Sequence, residues 1–381
     1  MVFYCRCFSI LSLLQVDTSV RAANTSAENF QTANSTFELR GRGSTSNPHN
    51  GSHTSQECTR RSVIPNTLRA FTLSELKEAT KNFDESCMIG EGGFGKVHKG
   101  TVKSLEYPFK DIDVAVKRGK RGQKGYRQWE TEVNVLGDVK LRHPNLVKLI
   151  GYCNEDHENE SNWLLVYEYM HNKSVDDHLS DKSAPPLSWD RRLKIAKDAA
   201  TGLAYLHEGM DKQIVFRDFK PPNILLDSEW NAKLSDFGFA RDGPQDGRTH
   251  VSTAVVGTKG YAAPEYVQTG RMTSKIDVWS YGIFLEELIT GQRPVTQNNS
   301  EKNPRFLKWA CCYAGDGKSK LNADPRLENN YSEKSMEKLT FIAKKCLAKE
   351  PKSRPKMSEV LKMVEEAIAL EAQQLPNAGK T

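Results

Sequence analysis

The chain has 381 residues, enough for one large domain or two ordinary ones with a sizeable core. Its 54 Lys and Arg residues against 48 Asp and Glu residues give a formal net charge of +6, which is spread along the sequence and gives no special support to nucleic-acid binding. The eight cysteines show no C-x-x-C pair and no metal-ligand spacing with histidines, which favours free thiols in a reducing compartment.

The first residues are apolar but form too short a run to cross a membrane. The segment MVFYCRCFSILSLLQV, residues 1–16, is interrupted by two serines, whereas a spanning helix needs about 20 apolar residues. It also matches a secretory signal poorly. Cys5 and Cys7 lie beside hydrophobic residues and are candidate palmitoylation sites. Because residues 20–65 are rich in Asn, Ser, Thr and Gly, we interpret residues 1–67 as a disordered tail, with a candidate lipid anchor at 1–16.

An ordered helix is predicted where FTLSELKEATKNF begins. Thr72 and Glu75 form a capping box, and Phe71 and Leu76 stand where a hydrophobic staple closes the first turn. The pattern therefore predicts a leading helix within residues 68–83, before the main domain.

A β-rich stretch follows, and then a helical one. The strand-like segments MIGEGGFGKVHKG, DIDVAVKR and WLLVYEYM enclose one helical segment, GYRQWETEVNVLGDV. Beyond Tyr169 the pattern is helical, and IDVWSYGIFLEELITG is apolar almost all round. The sequence therefore predicts an α+β architecture, with a small β-rich lobe at 84–170, a larger helical lobe at 171–368 and a flexible tail at 369–381.

One helix after Ser188 should bury a single face, formed by Trp189, Leu193, Ala196, Ala200, Leu203 and Leu206.

A glycine-rich turn lies in the first strands. Residues 90–97, GEGGFGKV, fit G-x-G-x-x-G-x-V, a turn whose bare backbone can approach phosphates closely. A dinucleotide-binding turn would lead directly into a helix, but here a strand follows, and then Val-Ala-Val-Lys ending at Lys117, which fits V-A-I-K. The other alternative is a structural hairpin with a chance lysine.

Lys117 can hold phosphates only if a second group fixes its ammonium. We assign Glu132 of the helical segment to that ion pair, because the apolar residues around its face should turn it inward. Glu130 is the competing choice, and the alternative for Glu132 is a place on a solvated helix face.

The stretch IVFRDFKPPNILLD carries the residues expected to transfer a phosphoryl group. Asp218 and Asn223 have the D-x-x-x-x-N spacing, and an Asp-Phe-Gly tripeptide begins at Asp236. Catalysis of phosphoryl transfer depends mainly on positioning the reacting groups and on stabilising the charge that develops. Asp218 should orient the acceptor hydroxyl and take its proton, Asn223 and Asp236 should hold Mg²⁺, and Lys220 should neutralise the γ-phosphate. None of these roles belongs to Phe216.

Residues 71–366, about three quarters of the chain, resemble a protein kinase of the plant receptor-like cytoplasmic kinase group, subfamily VII. The resemblance is carried, in order, by FTLSELKEATKNF, IGEGGFGKVHKG, HPNLVKLIGYC, LLVYEYM, FRDFKPPNILLD, KLSDFGFAR, HVSTAVVGTKGYAAPEYVQTGRMTSKIDVWSYG and RPKMSEVL. It implies the bilobal kinase fold and a serine/threonine protein kinase that uses ATP and Mg²⁺. Kinases usually carry His before Arg-Asp, but members of this subfamily often carry Tyr or Phe, and we expect Phe216 to supply the same packed ring.

The resemblance also implies partners and a location. It implies protein substrates and an upstream membrane receptor kinase, in receptor-proximal signalling with an immune role. It implies a monomer in the cytoplasm, attached at most peripherally to the inner face of the plasma membrane, with no nucleic-acid partner. The alternative is a pseudokinase or scaffold that binds nucleotide without phosphoryl transfer. Loss of Lys117, Asp218 or Asp236 would favour that alternative, and all three are present.

Further site residues are implied by the same resemblance. Arg217 would bind a phosphorylated residue of the activation loop, with Ser252 and Thr253 as the candidates, against two solvated hydroxyls as the alternative. Thr258 would contact Asp218 and Lys220. The ATP-binding residues would be Gly90, Glu91, Gly92, Gly93, Gly95, Val97, Ala115, Lys117, Glu168 and Met170. The supporting residues would be Tyr167 as gatekeeper, Asp277 behind the catalytic loop, and Glu265 with Arg354 as a buried ion pair.

Overall fold

The computed structural model describes residues 68–93, 95–105, 109–157, 160–245, 247–293 and 322–373. The predicted tail at 1–67, with its candidate anchor, lies outside the described residues. Within the described ranges, none of the helices combines the length and the apolar character needed to cross a membrane. Cys87, Cys153 and Cys346 are free thiols.

The first half of the described chain forms a six-stranded sheet. The strands are β1 (Arg69–Ala70), β2 (Met88–Gly92), β3 (Gly95–Lys103), β4 (Asp111–Gly119), β5 (Leu149–His157) and β6 (Glu160–Glu168), and the helices are α1 (Leu73–Ala79) and α2 (Gln123–Leu136). The sheet order is β1–β5–β6–β4–β3–β2, and every neighbouring pair is antiparallel except β1 with β5. Helix α2 packs against the sheet, where the indole N–H of Trp129 donates to the carbonyl of Leu164 at 3.0 Å.

The leading segment contains the predicted helix and an additional strand. The capping box is present in α1, since Thr72 N–H donates to Glu75 Oε2 at 2.8 Å and Glu75 N–H donates to Thr72 Oγ1 at 3.1 Å. Phe71 and Leu76, the predicted staple pair, are both buried in one cluster. The sequence predicts no strand here, but β1 can approach β5 because Gly151 has no side chain: a Cβ at that position would lie 2.2 Å from a β1 carbonyl oxygen.

The second half is mainly helical, as predicted. The predicted face of the helix Trp189–Ala204 is buried, and the helix Lys275–Thr290 is buried on almost every side. The helices are α3 (Val175–Ser180), α4 (Trp189–Ala204), which continues as the π-helical turn Tyr205–Gly209, α5 (Pro264–Thr269), α6 (Lys275–Thr290), α7 (Glu333–Cys346) and α8 (Met357–Ala372). The short antiparallel strand pairs are β7 (Ile214–Val215) with β10 (Arg241–Asp242), β8 (Ile224–Leu226) with β9 (Ala232–Leu234), and β11 (Val251–Ser252) with β12 (Arg271–Met272). Together with the sheet these helices form the predicted α+β arrangement.

The last helix extends beyond the predicted end of the lobe. α8 reaches Ala372, whereas the sequence predicts a flexible tail from residue 369. The reason is Glu371, whose Oε2 accepts hydrogen bonds from Ser335 Oγ at 2.6 Å and from Ser332 N–H at 2.9 Å. These bonds tie the end of α8 to the start of α7, so residues 369–372 belong to the lobe.

One carboxyl group is buried in the helical lobe without a partner. Glu286, in α6, is 0% exposed, and neither of its side-chain oxygens has a hydrogen-bond partner in the described part of the chain. Burial raises the pKa of Glu286 to about 8, against the lowering effect of the Lys344 charge. The group is therefore protonated at neutral pH, because a charge at this position would be poorly compensated.

Glu286 makes the stability of the protein depend on pH. The unfolded chain releases the Glu286 proton near the ordinary pKa of 4.5, whereas the folded chain keeps it up to about 8, so the free energy of unfolding should fall as the pH rises through that window. At pH 7 the loss amounts to about 3 kcal/mol. Glu286→Leu should remove this loss, so it should raise the melting temperature more at pH 7 than at pH 5.

Denaturant unfolding at a series of pH values measures the difference. The matched control is Glu78→Leu, which replaces an exposed glutamate of α1 and should keep the wild-type pH profile. A Glu286→Leu variant with the same pH profile as the wild type would contradict a neutral buried carboxyl group.

Candidate functional site

The glycine-rich turn connects β2 and β3 and lies against the end of β4. Gly95 has φ +129°, and a Cβ at this position would lie 1.9 Å from the carbonyl oxygen of Arg118. A side chain is therefore excluded there, and the turn is held next to the strand that carries Lys117. The predicted residues lie in β2 (Gly90, Glu91 and Gly92), in the turn (Gly93), in β3 (Gly95 and Val97) and in β4 (Ala115 and Lys117).

Lys117 is paired with two carboxylates from opposite sides of the site. Its Nζ lies 2.5 Å from Glu132 Oε1 of α2 and 2.9 Å from Asp236 Oδ1, which follows β9. Burial alone would lower the pKa of Lys117, but the charges of Asp236 and Glu132 outweigh burial and raise it above its ordinary value. The ammonium therefore stays charged although its surroundings are largely buried.

The structure separates the two glutamates that the sequence left as alternatives. Glu132 is 1% exposed and is the one that reaches Lys117, whereas Glu130 accepts a hydrogen bond from the hydroxyl of Tyr126 at 3.3 Å. The second Glu132 oxygen accepts from the hydroxyl of Tyr167. The sequence places Tyr167 beside the nucleotide site but gives no sign of this bond, because the two residues belong to different elements.

Asp218 lies at the centre of a second network. Its Oδ1 accepts a hydrogen bond from Thr258 Oγ1 at 2.6 Å, and its Oδ2 lies 2.9 Å from Lys220 Nζ. Lys220 also donates to Thr258 Oγ1 at 2.7 Å. The side-chain amide N–H of Asn223 donates to the Asp218 carbonyl at 2.9 Å. The three side chains predicted to meet at the acceptor position are thus in direct contact.

Asp277 of α6 fixes the backbone of the two residues that precede Asp218. Its two carboxylate oxygens accept from the backbone N–H groups of Phe216 and Arg217, each at 2.8 Å. His207 Nε2 lies 2.8 Å from Asp277 Oδ2, a contact that the sequence did not suggest. Arg217 takes φ +73°, a left-handed conformation that costs energy in a non-glycine residue, and the bonds to Asp277 offset it.

The Phe216 ring is fully buried beneath the Asp-Phe-Gly turn. Its centroid lies 5.0 Å from that of Phe237 at an interplanar angle of 80°, an edge-to-face arrangement, and 6.3 Å from that of Phe219. Leu234, two residues before Asp236, is joined to the segment before β5 by backbone bonds of 2.9 Å to Asn145 and Val147. The position of Asp236 is therefore set by packing and by backbone bonds, and the Phe216 ring is part of that packing.

Two arginines converge on Thr253. Its Oγ1 lies 3.3 Å from Arg217 Nη2 and 3.0 Å from Arg241 Nη1. Arg217 also donates to the hydroxyl of Tyr266 at 2.6 Å, and its buried Nε has no hydrogen-bond partner in the described part of the chain. Ser252, the other predicted candidate, is exposed and lies in β11. The sequence identified Arg217 but missed Arg241, whose approach depends on the β7–β10 pairing.

The remaining predicted residues form an ion pair within the helical lobe or lie at the end of β6, where the nucleotide is expected. Arg354 forms a bidentate ion pair with Glu265, at 2.7 Å and 2.8 Å. The Glu168 carboxylate pairs with Lys233 at 2.8 Å, so only its backbone is left to meet a ligand. Met170 is buried just after β6.

A divalent metal fits the oxygen atoms left over in this site. The amide N–H of Asn223 is used by Asp218, so its carbonyl oxygen is the remaining donor. Asp236 uses one oxygen for Lys117 and can offer the other. Carboxylate and amide oxygens, completed by phosphates, are the ligands that Mg²⁺ prefers.

Comparison with known proteins adds independent information. The family model for the protein kinase domain matches residues 83–364. The serine/threonine-protein kinase PCRK1 of Arabidopsis thaliana is 59% identical over 309 residues, which cover 81% of this chain and 73% of the relative. PCRK2 of the same plant is 57% identical over 324 residues, which cover 84% of this chain and 76% of the relative. The probable serine/threonine-protein kinase PBL8, also from Arabidopsis thaliana, is 50% identical over 306 residues, covering 80% and 72%.

Proposed function

This chain belongs to the protein kinase family and is a serine/threonine protein kinase, and from that premise we propose that the site transfers the γ-phosphate of ATP, with Mg²⁺, through the residues described above. The observation that carries the proposal is the contact of Asp218 with both Lys220 and Thr258, while Lys117 is paired with Glu132 and Asp236. These are the positioning and charge-stabilising parts that phosphoryl transfer requires.

Asp218 acts on the acceptor hydroxyl. Its Oδ1, which now accepts from Thr258, is the oxygen placed to orient a serine or threonine hydroxyl and to take its proton. Lys220 is within 2.9 Å of Asp218 and can stabilise charge on the transferring group. Lys117, fixed by its two carboxylates, holds the non-transferred phosphates. Mg²⁺ held by Asn223 and Asp236 would neutralise the phosphate oxygens.

We place the kinase in receptor-proximal signalling. The curated relatives resemble this chain over most of its length, and the resemblance to receptor-like cytoplasmic kinases supports protein substrates and an upstream membrane receptor kinase as partners. Immune signalling, a monomeric state and peripheral contact with the inner face of the plasma membrane belong to the same proposal. They rest on the family analogy alone.

Transfer of labelled phosphate by the purified chain, with Mg²⁺ and a generic protein acceptor, tests the catalytic part. Label on serine and threonine is expected, and Lys117→Met sets the background because it removes the phosphate-holding ammonium. If the wild type is as inactive as Lys117→Met, even after a partner kinase has phosphorylated it, the chain is a nucleotide-binding scaffold and the proposal fails.

Thr253 is the residue whose phosphorylation should activate the kinase. A phosphate on its Oγ1 would bring a charge of about −2 and three acceptor oxygens between Arg217 and Arg241. Thr253→Ala should lower kcat by about ten-fold, the equivalent of one charge-assisted hydrogen bond. Ser252→Ala is the matched control and should leave kcat near the wild-type value. Mass spectrometry of the active protein, with the rates of both variants, checks this, and equal losses would contradict it.

A further inference from the structure

Residues 258–261 form a rigid turn directly beside the catalytic aspartate. The backbone N–H of Tyr261 donates to the carbonyl of Thr258 at 3.1 Å, which closes the turn. Gly260, the third residue, takes φ +104°, a conformation that a turn of this kind reserves for glycine.

Both ends of the turn are anchored. The hydroxyl of Thr258 is bonded to Asp218 and Lys220, as described above. The carbonyl of Tyr261 accepts from Ser280 Oγ of α6 at 2.8 Å. The turn therefore cannot swing away from the acceptor position without breaking contacts on both sides.

Lys259 occupies the outer corner of this turn. Its side chain is exposed, and no described residue forms a hydrogen bond or an ion pair with its ammonium. Its Cα lies about 3.8 Å from that of Thr258, as for any consecutive residues, and Thr258 touches the oxygen that would receive the acceptor proton. A flexible cation is thus presented within side-chain reach of a bound acceptor segment.

Two carboxylates, the one that contacts the turn and the first one that follows it in sequence, are already paired with other cations. Asp218 is paired with Lys220, and Glu265 forms its bidentate ion pair with Arg354. Neither can serve as counter-charge to Lys259 without losing a better partner. The charge of Lys259 is therefore available to a ligand.

We propose that Lys259 is a specificity-determining residue, which selects acceptor segments with a carboxylate next to the serine or threonine that is phosphorylated. The proposal rests on the proposed function of the same site. It concerns the choice of acceptor and not the chemical step, because Lys259 is placed to touch the neighbours of the acceptor residue and not the reacting atoms.

The expected preference is modest, because the ion pair would be exposed to water. The free energy of an exposed ion pair corresponds to a kcat/KM that is about two- to five-fold higher for an acceptor with the carboxylate than for one without it. Reversal of the charge in a Lys259→Glu variant should turn this attraction into repulsion. The ratio of kcat/KM for acceptors with and without the carboxylate should therefore change by about ten-fold between wild type and variant. Salt should reduce both effects.

Peptides with a single serine in a neutral background provide the test. One Glu is placed at each of the three positions on either side of the serine, and each peptide is matched with the corresponding Gln peptide. The quantity compared is the ratio of kcat/KM for the Glu and Gln peptides, which cancels general changes in activity. The variants are Lys259→Met and Lys259→Glu, with Lys362→Glu, an exposed lysine of α8, as the matched control.

The wild type and Lys362→Glu should both prefer the Glu peptide at one or more positions next to the serine. Lys259→Met should show a ratio near one, and Lys259→Glu should show a ratio below one. Equal ratios in the wild type, or a preference that survives in Lys259→Met, would overturn the inference. So would labelling of the kinase itself without labelling of any acidic peptide. If neither the kinase nor any peptide is labelled, the proposed function itself has failed.

Discussion

Asp218→Asn is expected to lower kcat by about 10²- to 10⁴-fold, the range that general-base groups contribute. The amide keeps the size of the side chain, so the hydrogen bond from Thr258 and the local fold can survive. What it loses is the ability to take a proton and the negative charge that now balances Lys220. The measurement is single-turnover transfer from ATP to a peptide acceptor.

The controls for this variant separate chemistry from folding and binding. The melting temperature and the affinity for nucleotide should stay close to those of the wild type, because Lys117 and Asp236 are untouched. Asp190→Asn, an exposed aspartate at the start of α4, should retain full activity. An Asp218→Asn variant that keeps more than a tenth of the wild-type kcat would show that another group takes the proton.

The parts of the site that the sequence could predict are those set by spacing along the chain. The glycine pattern, the D-x-x-x-x-N spacing and the Asp-Phe-Gly tripeptide each identify a short segment, and the amphipathic pattern of α2 was enough to prefer Glu132 over Glu130. The chemistry of each segment depends on residues that are neighbours in sequence. The distances between the segments depend on the fold, and only the structure shows that Asp236 lies 2.9 Å from Lys117, 119 positions away in the chain.

The parts that the sequence missed depend on contacts between elements. The bond from Tyr167 to Glu132 requires the register of β6 against α2, and the approach of Arg241 to Thr253 requires β10 to pair with β7. The strand β1 exists because Gly151 lets a distant backbone approach, and α8 is extended by its bond to α7. No local propensity records such contacts, since tertiary packing decides them.

Loss of the Phe216 ring is expected to cost about 3 to 5 kcal/mol of unfolding free energy, the usual range for a buried phenylalanine cut to alanine. Phe216→Ala would leave a cavity beneath Phe237 and remove the support of the turn that carries Asp236. We expect kcat to fall with stability, because Asp236 would no longer be held beside Lys117. Denaturant unfolding and peptide phosphorylation, measured below the melting temperature of the variant, check both effects.

Two further variants decide whether Phe216 is a packing residue. Phe341→Ala removes a ring that is 47% exposed in α7 and should cost much less stability, which controls for the loss of any phenylalanine. Phe216→His restores the imidazole found in most kinases and still fills most of the space with a ring. If packing is the role of this position, Phe216→His should keep kcat within a few-fold of the wild type. A gain of more than ten-fold would mean that the natural phenylalanine limits catalysis, and that the imidazole contributes a hydrogen bond which the packed ring cannot replace.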